Sequence, residues 1–184
     1  MTKLHTFAVY VEDRPGVLNR VSSLFRRRGF NIQSLAVGHS ELPGISRLTA
    51  VVEADEHAAR RIRAHLEKLI DVVRVDDITD RPSVVRDLAL IKVCATHATR
   101  PSLLQLVQVF EGRVVDIATD SVVVEMCASE ARIDAFVDVL RPYGLIEMVR
   151  TGRVAMTRGA SAPATAAATT VQGHSADETL AASV

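Results

Sequence analysis

The sequence is poor in aromatic residues and its opposite charges cancel. Aromatic residues make up 4% of the 184 residues and tryptophan is absent, so the chain has few side chains on which nucleic-acid bases could stack. Lys plus Arg number 22, the same as Asp plus Glu, whereas a dedicated nucleic-acid binder usually has a basic face. We therefore expect no nucleic-acid partner.

Cysteine is also scarce, and the familiar catalytic and metal-binding motifs are missing. The two cysteines, Cys94 and Cys127, lie in apolar runs typical of strands, so we expect buried free thiols rather than a disulfide or a reactive site. The six histidines lack metal-like spacing, and Cys94-x-x-His97 is an isolated pair. Phosphate-binding glycine loops, Gly-x-Ser-x-Gly and HExxH are absent as well. The sequence predicts neither a metal site nor a catalytic site.

Long apolar runs are missing too. No stretch approaches the roughly 18 apolar residues of a membrane-spanning helix, and the N-terminal segment lacks the apolar core of a signal peptide. We expect a soluble, cytoplasmic protein that does not associate with membranes.

From Gly159 the composition shifts to Ala, Thr, Ser and Gly, which cannot bury enough surface to offset the entropy of ordering. Residues 159–184 are therefore predicted to form a disordered tail.

What the chain does have is apolar periodicity, and it predicts one order of elements twice. The first half is predicted as strand 4–11, helix 16–28, strand 32–37, strand 45–52, helix 55–70 with Asp55 as its cap, and strand 72–78. The second half is predicted as strand 88–95, helix 99–110 capped by Thr99, strand 113–119, strand 122–126, helix 129–140 and strand 145–149. This β-α-β-β-α-β order predicts an α+β protein of two ferredoxin-like domains, at 1–79 and 86–158, with a linker at 80–85.

The clearest candidate for a binding site is the turn Asp13-Arg14-Pro15-Gly16, between the first strand and the first helix. Pro15 suits the first helical turn because its missing N–H would have no partner there. Backbone N–H groups near Gly16, Val17 and Leu18 would then be unpaired at the positive end of the helix. Such groups bind carboxylates as they bind phosphates, and Gly16 lets a ligand approach the backbone closely.

Two polar side chains could bind the other atoms of a free amino acid. Asp13 could accept hydrogen bonds from an ammonium group, and Asn31, at the start of the second strand, offers both a donor and an acceptor. The apolar wall for an aliphatic side chain would consist of Val17, Leu18 and Ile32. The alternative is structural, with Asp13 only capping the helix. Gly29 follows three arginines whose charges suit a helix C-terminus, so we expect it to end the helix. Spacing alone leaves both interpretations of Asp13 open.

These motifs resemble those of the small, regulatory subunit of acetolactate synthase (acetohydroxyacid synthase) over residues 4–158. The Asp-x-Pro-Gly-Val-Leu element is shared by many amino-acid-binding ACT domains. More specific are RGFNI at 28–32, the Ser34-Leu35 pair and KLIDVV at 68–73. In the second half RDLALIKV, FEGRVVDI, IDAF and TGRVAMTRG are similar to the family's smaller C-terminal domain.

The resemblance implies a homodimer formed through ACT domains, which binds valine or another branched-chain amino acid at its interface. It also implies a large catalytic subunit as partner, which would hold thiamine diphosphate, Mg²⁺ and FAD and condense pyruvate with pyruvate or 2-oxobutyrate. The small subunit, without cofactors of its own, would raise that activity and confer feedback inhibition in branched-chain amino acid biosynthesis. The implied effector-binding residues are Asp13, Arg14, Pro15, Gly16, Val17, Leu18, Asn31 and Ile32.

Two other kinds of function compete with this one. A stand-alone tandem-ACT sensor that controls another enzyme or transcription would have the same two domains without a catalytic partner. An RNA-binding protein of related topology would need the strand aromatics and basic charge that this chain lacks.

Overall fold

The computed structural model describes residues 1–159, and its first domain is an antiparallel sheet with two helices on one face. The elements are β1 (Lys3–Glu12), α1 (Val17–Arg27), β2 (Ile32–His39), β3 (Ile45–Ala54), α2 (Glu56–Leu66) and β4 (Val72–Asp77). The strand order is β2-β3-β1-β4, and all neighbouring strands are antiparallel. The predicted ferredoxin-like order is confirmed.

The second domain repeats this arrangement and adds a strand. Its elements are β5 (Ser83–Cys94), α3 (Arg100–Val109), β6 (Arg113–Ile117), β7 (Ser121–Ala128), α4 (Glu130–Leu140), β8 (Leu145–Arg150) and β9 (Val154–Thr157). The sheet order is β6-β7-β5-β8. The short strand β9 was not predicted, because four residues are too few to show a period.

A ribbon made of β9 and the start of β5 joins the two domains. β5 begins at Ser83, inside the segment predicted as a linker, and its residues 83–86 pair with β9. Val85 and Ala155 of this ribbon pack against Ala8 and Ile78 of the first domain. Ala8 is thereby buried although its side chain points away from α1 and α2, since its strand neighbours Phe7 and Val9 lie in the core.

Each domain has its own hydrophobic core between sheet and helices. In the first, Phe7 and Val9 of β1 pack with Val21 and Phe25 of α1. In the second, the fully buried side chains include Ile91, Leu103, Ile133, Phe136 and Leu140. Leu18 is exposed because α1 directs Val17, Val21 and Phe25, spaced by four, toward the sheet.

The two cysteines are exposed free thiols, so the predicted burial is wrong. Cys94 follows Val93 on β5, and Cys127 follows Met126 on β7. Val93 and Met126 face the core, and successive side chains of a strand point to opposite faces. Both sulfur atoms therefore lie on the face of the sheet that points away from the helices.

Local chemistry sets the ends of the helices. Asp55 caps α2 as predicted, since its carboxylate accepts the N–H of Ala58 at 2.7 Å. This hydrogen bond lowers the pKa of Asp55. α2 ends at Leu66, four residues before the predicted end at residue 70. The residues that follow form turns in which an N–H donates to the carbonyl three residues earlier, as in Lys68 to His65 and Leu69 to Leu66. Thr99 occupies the cap position of α3, but within residues 1–159 its hydroxyl makes no capping hydrogen bond, contrary to prediction.

Gly29 ends α1, as predicted. Its φ of 70° is left-handed, and its N–H donates to the carbonyl of Arg26. The N–H of Phe30 donates to the carbonyl of Phe25, which completes a Schellman motif.

None of the helices in the described part of the chain is long and apolar enough to cross a membrane. The tail predicted to be disordered starts at Gly159, and the remainder of it lies outside the described residues.

Candidate functional site

Backbone hydrogen bonds to the loops that contain Gly44 and Asp71 fix the turn between β1 and α1. The N–H of Asp13 donates to the carbonyl of Gly44 at 2.8 Å, and that of Glu12 donates to the carbonyl of Asp71 at 2.9 Å. Arg14 forms an ion pair of 3.0 Å with Glu12. The four residues of the turn, Asp13, Arg14, Pro15 and Gly16, are all exposed. Neighbouring loops thus fix the position of the turn and leave its outer side accessible.

The N-terminus of α1 presents free donors at this turn. The helix begins at Val17, one residue later than predicted, with Gly16 as its N-cap at a φ of 87°. Within residues 1–159 no side chain caps it. Arg20 donates its N–H to the carbonyl of Gly16 at 3.0 Å, whereas the N–H groups of Leu18 and Asn19 have no acceptor in the described chain. The positive end of the helix can therefore receive an anion such as a carboxylate.

Asp13 does not cap the helix, so the structural interpretation of this residue is wrong. Its carboxylate instead lies 3.4 Å from Nδ1 of His39, an exposed residue at the end of β2. His39 could not be predicted as a neighbour of Asp13, because no motif surrounds it and the two residues are 26 positions apart in the sequence. β1 and β2 are both antiparallel to β3, so they run in the same direction. Their C-terminal ends, with Asp13 and His39, therefore lie at the same end of the sheet.

The structure separates the three apolar residues of the predicted wall. Val17 is only 4% exposed and belongs to the core, so its side chain does not face a ligand at the turn. Leu18 is exposed beside the turn. Ile32 is half-buried and packs against the edge of the core.

Asn31 and Ile32 lie at the opposite end of the sheet from the turn. Ile32 pairs with Val52 of β3, which in turn pairs with His5, whereas the turn follows Glu12. Glu12 is seven positions after His5 along β1, a distance of about 23 Å. One chain therefore does not bring Asn31 together with the turn.

Two cavities lie elsewhere on the chain. One of about 420 Å³ lies between α1 and α2 and is lined by Arg27, Arg28 and His65 among others. Burial, together with the charges of Arg28 and Lys68, lowers the pKa of His65. The other, of about 400 Å³, lies between the domains. Neither is lined by the turn, and no cluster of three or more His, Cys, Asp or Glu residues within residues 1–159 could hold a metal ion.

Comparison with known proteins first defines the class. Residues 7–74 match the family model described as an AHAS small subunit-like ACT domain. The first domain, with its strand, glycine turn and helix, is thus an ACT domain.

The second domain narrows the class, since residues 86–159 match the family model described as small subunit of acetolactate synthase. The chain is 47% identical over 155 residues to the probable acetolactate synthase small subunit of Archaeoglobus fulgidus, covering 84% of this chain and 97% of that protein. It is 46% identical over 158 residues to the acetolactate synthase small subunit of Mycolicibacterium smegmatis, covering 86% and 93%. The crystal structure of the acetolactate synthase small subunit from Thermotoga maritima superposes with a TM-score of 0.80 at 36% identity, covering 85% of this chain and 98% of that one. The chain belongs to the acetolactate synthase small-subunit family.

Proposed function

We propose that this chain is a regulatory subunit that binds a branched-chain amino acid, valine, between the ACT domains of a homodimer. The chain activates a large catalytic subunit of acetolactate synthase, and binding of valine confers feedback inhibition on that subunit. Family membership supports the role, and the positions of the predicted site residues support the location. The observation that carries the proposal is that Asn31 and the turn at 13–16 lie at opposite ends of the edge strand β2.

β2 is the strand that a second copy would use. Among residues 1–159 it pairs with β3 alone, so its other edge carries unpaired backbone groups. Asn31 immediately precedes it, and its last residue, His39, lies beside Asp13. If two copies pair their β2 strands antiparallel about a two-fold axis, Asn31 of each copy approaches the turn of the other. Such a dimer completes two equivalent sites.

Each group of the turn then has a partner on a zwitterionic ligand. The carboxylate accepts from the N–H groups of Leu18 and Asn19 at the helix N-terminus. The ammonium group donates to Asp13, and Asn31 of the second copy supplies further hydrogen bonds. Leu18 and the second copy's Ile32 contact the aliphatic side chain, while Val17 contributes only its backbone.

The effector acts by favouring one arrangement of the ACT pair over another. A ligand bound between two chains stabilises the arrangement in which both halves of its site are present, and such coupling is typically about 1–3 kcal/mol. The thiamine diphosphate, Mg²⁺ and FAD of the reaction belong, in this proposal, to the large subunit. This chain contributes regulation only, in the cytoplasm.

Activity assays of the complex with the large subunit test the proposal. Gly16→Asp places a negative charge where the ligand carboxylate binds, and Asn31→Ala removes the amide of the second copy. We expect each variant to raise the valine concentration for half inhibition at least tenfold while activation of the large subunit is kept. Asn19→Ala is the control, because it removes the side chain of the only other asparagine but leaves the backbone N–H that binds the carboxylate, so it keeps wild-type sensitivity.

Two results would contradict the proposal. Full valine sensitivity in both Gly16→Asp and Asn31→Ala would show that the effector binds elsewhere. Failure of the chain to co-purify with the large subunit, together with no change in its activity, would favour the stand-alone sensor.

A further inference from the structure

The cavity between the two domains has an apolar and a polar wall. Its apolar wall is formed by Leu4, Leu35 and Val51 of the first domain, which also contributes the polar residues Gln33 and Ser34 to the lining. Its polar wall comes from the second domain and consists of Asp87, Glu130, Arg150 and Arg153. A volume of about 400 Å³ is within the range of small-molecule sites.

Asp87 is the most deeply buried charge of the polar wall. Its side chain is 7% exposed, and its Oδ2 accepts a hydrogen bond from Nη2 of Arg150 at 3.2 Å. Its Oδ1 is buried and has no hydrogen-bond partner among residues 1–159. Because a buried carboxylate oxygen without a partner is unfavourable, Oδ1 is a site for a donor from a ligand.

Arg153 presents the complementary group. Its Nη2 forms an ion pair of 2.9 Å with Glu130, and its backbone N–H donates to Oγ of Ser34 at 2.6 Å. These contacts hold the residue at both ends. Its Nε is buried and likewise lacks a hydrogen-bond partner in the part of the chain that the structure describes. An acceptor on a ligand would satisfy it.

We propose that this cavity binds a free α-amino acid with an aliphatic side chain, as a second site separate from the turn. Its four charged side chains are two acids and two bases, so the wall suits a zwitterion better than an anion or a cation. The ammonium group donates to Oδ1 of Asp87, and the carboxylate accepts from Nε of Arg153. The aliphatic side chain contacts the apolar wall of the first domain.

A ligand in this position touches both domains at once. Ser34 and Leu35 of β2 lie on its first-domain side, two and three residues after Ile32. Occupancy therefore favours the arrangement of domains in which both walls of the cavity are formed. The proposed function enters here only in the choice of branched-chain amino acids as probes.

Isothermal titration calorimetry of the full chain with valine, leucine and isoleucine tests the proposal. We expect at least one of them to occupy two classes of site, with two molecules bound per chain. Asp87→Asn and Arg153→Lys should each weaken one class at least tenfold and leave the other unchanged, because a charge-assisted hydrogen bond is lost. Arg153→Lys keeps the charge that pairs with Glu130, so it serves if Asp87→Asn does not fold.

The matched control is Asp134→Asn. Asp134 pairs with Arg150 at 2.7 Å but does not line the cavity, so this variant loses a carboxylate of the same network and should keep both classes of site. Asn31→Ala separates the two proposals, since it should remove only the class at the turn. Loss of that class alone, with Asp87→Asn and Arg153→Lys both binding as wild type, would overturn the cavity site and support the turn. If Asp87→Asn and Arg153→Lys each lose one class of site and Asn31→Ala has no effect, the cavity site is supported and the site at the turn is overturned.

Discussion

Gly16 and Gly29 lie at the two ends of α1, and both have a left-handed backbone, with φ of 87° and 70°. Another L-residue in this conformation costs roughly 1–2 kcal/mol. Gly29 uses it to close the helix through the Schellman motif. At Gly16 an added Cβ would meet nothing within 4 Å, so within one chain the need for glycine is conformational only. The space in front of Gly16 is open to a ligand.

Asp55 makes the stability of the first domain depend on pH. Its hydrogen bond from Ala58 lowers the pKa of the folded carboxyl below the ordinary 3.8. The stabilisation is therefore present above the unfolded pKa and is lost as pH falls through the lowered folded value. We expect Asp55→Ala to lower the melting temperature at pH 7, with the difference from wild type vanishing in acid. Thermal unfolding followed by circular dichroism at several pH values measures this.

Ser129→Ala is the control for this change. Ser129 occupies the N-cap of α4 with a similar extended backbone, but within residues 1–159 its side chain makes no capping hydrogen bond. Its substitution should lower the melting temperature less than Asp55→Ala does. A constant difference between Asp55→Ala and wild type down to strongly acidic pH would show that the carboxylate is not the stabilising group.

At the scale of elements, β2 connects the parts of the molecule. It pairs with β3, its last residue His39 lies beside Asp13 of the turn, and its Ser34 accepts a hydrogen bond from the second domain. Gly152, which follows β8, packs directly against its backbone. A shift of β2 would therefore change the position of the turn, of the proposed dimer edge and of the boundary between the domains.

Gly152 tests how tightly this contact is packed. A Cβ there would lie 2.5 Å from the carbonyl oxygen of Leu35 and 2.9 Å from Oγ of Ser34. Because a strand backbone cannot move aside cheaply, we expect Gly152→Ala to lower the free energy of unfolding by about 1–3 kcal/mol. Gly38→Ala, on β2 with nothing within 4 Å of the added methyl, should change it by less than about 0.5 kcal/mol. Urea unfolding of both variants provides the comparison, and equal stabilities would mean that the domain contact is loose.

At the scale of the whole molecule, two separate cores are joined through few connections. Arg47 of the first domain donates to the carbonyl of Ala155 on β9 at 2.6 Å, and the β5–β9 ribbon buries Ala8. The first sheet keeps β2 and β4 as its edges. Which edge a second copy uses decides whether the proposed site at the turn is completed.

Charges placed on the two edges distinguish them. Val37 on β2 and Val73 on β4 are similarly exposed, at 50% and 47%. A charged residue on an edge strand opposes pairing with another strand, so Val37→Asp should weaken the proposed homodimer at least tenfold and remove the proposed inhibition by valine. Val73→Asp should stay dimeric. Sedimentation velocity over a range of concentrations measures both, and dissociation by Val73→Asp instead of Val37→Asp would place the dimer on the opposite edge.

Features that depend on nearby residues could be predicted from the sequence. Both β-α-β-β-α-β units follow from apolar periodicity, because the side chains that face the core recur at the period of their element. The cap at Asp55 and the Schellman turn at Gly29 depend on contacts within five residues. The family could also be identified, because its motifs at 28–35 and 68–73 are contiguous in the sequence.

Only the tertiary structure decided which of these features meet. It placed Asn31 at the opposite end of the sheet from the turn, brought His39 to Asp13, and set Arg153 against Ser34 of β2. The sequence likewise did not predict the pairing of β9 with β5, nor that the cysteines lie on the exposed face of their sheet. The reason is physical: strand order and domain packing join residues far apart in sequence, and a local pattern specifies the face of an element but not its neighbours.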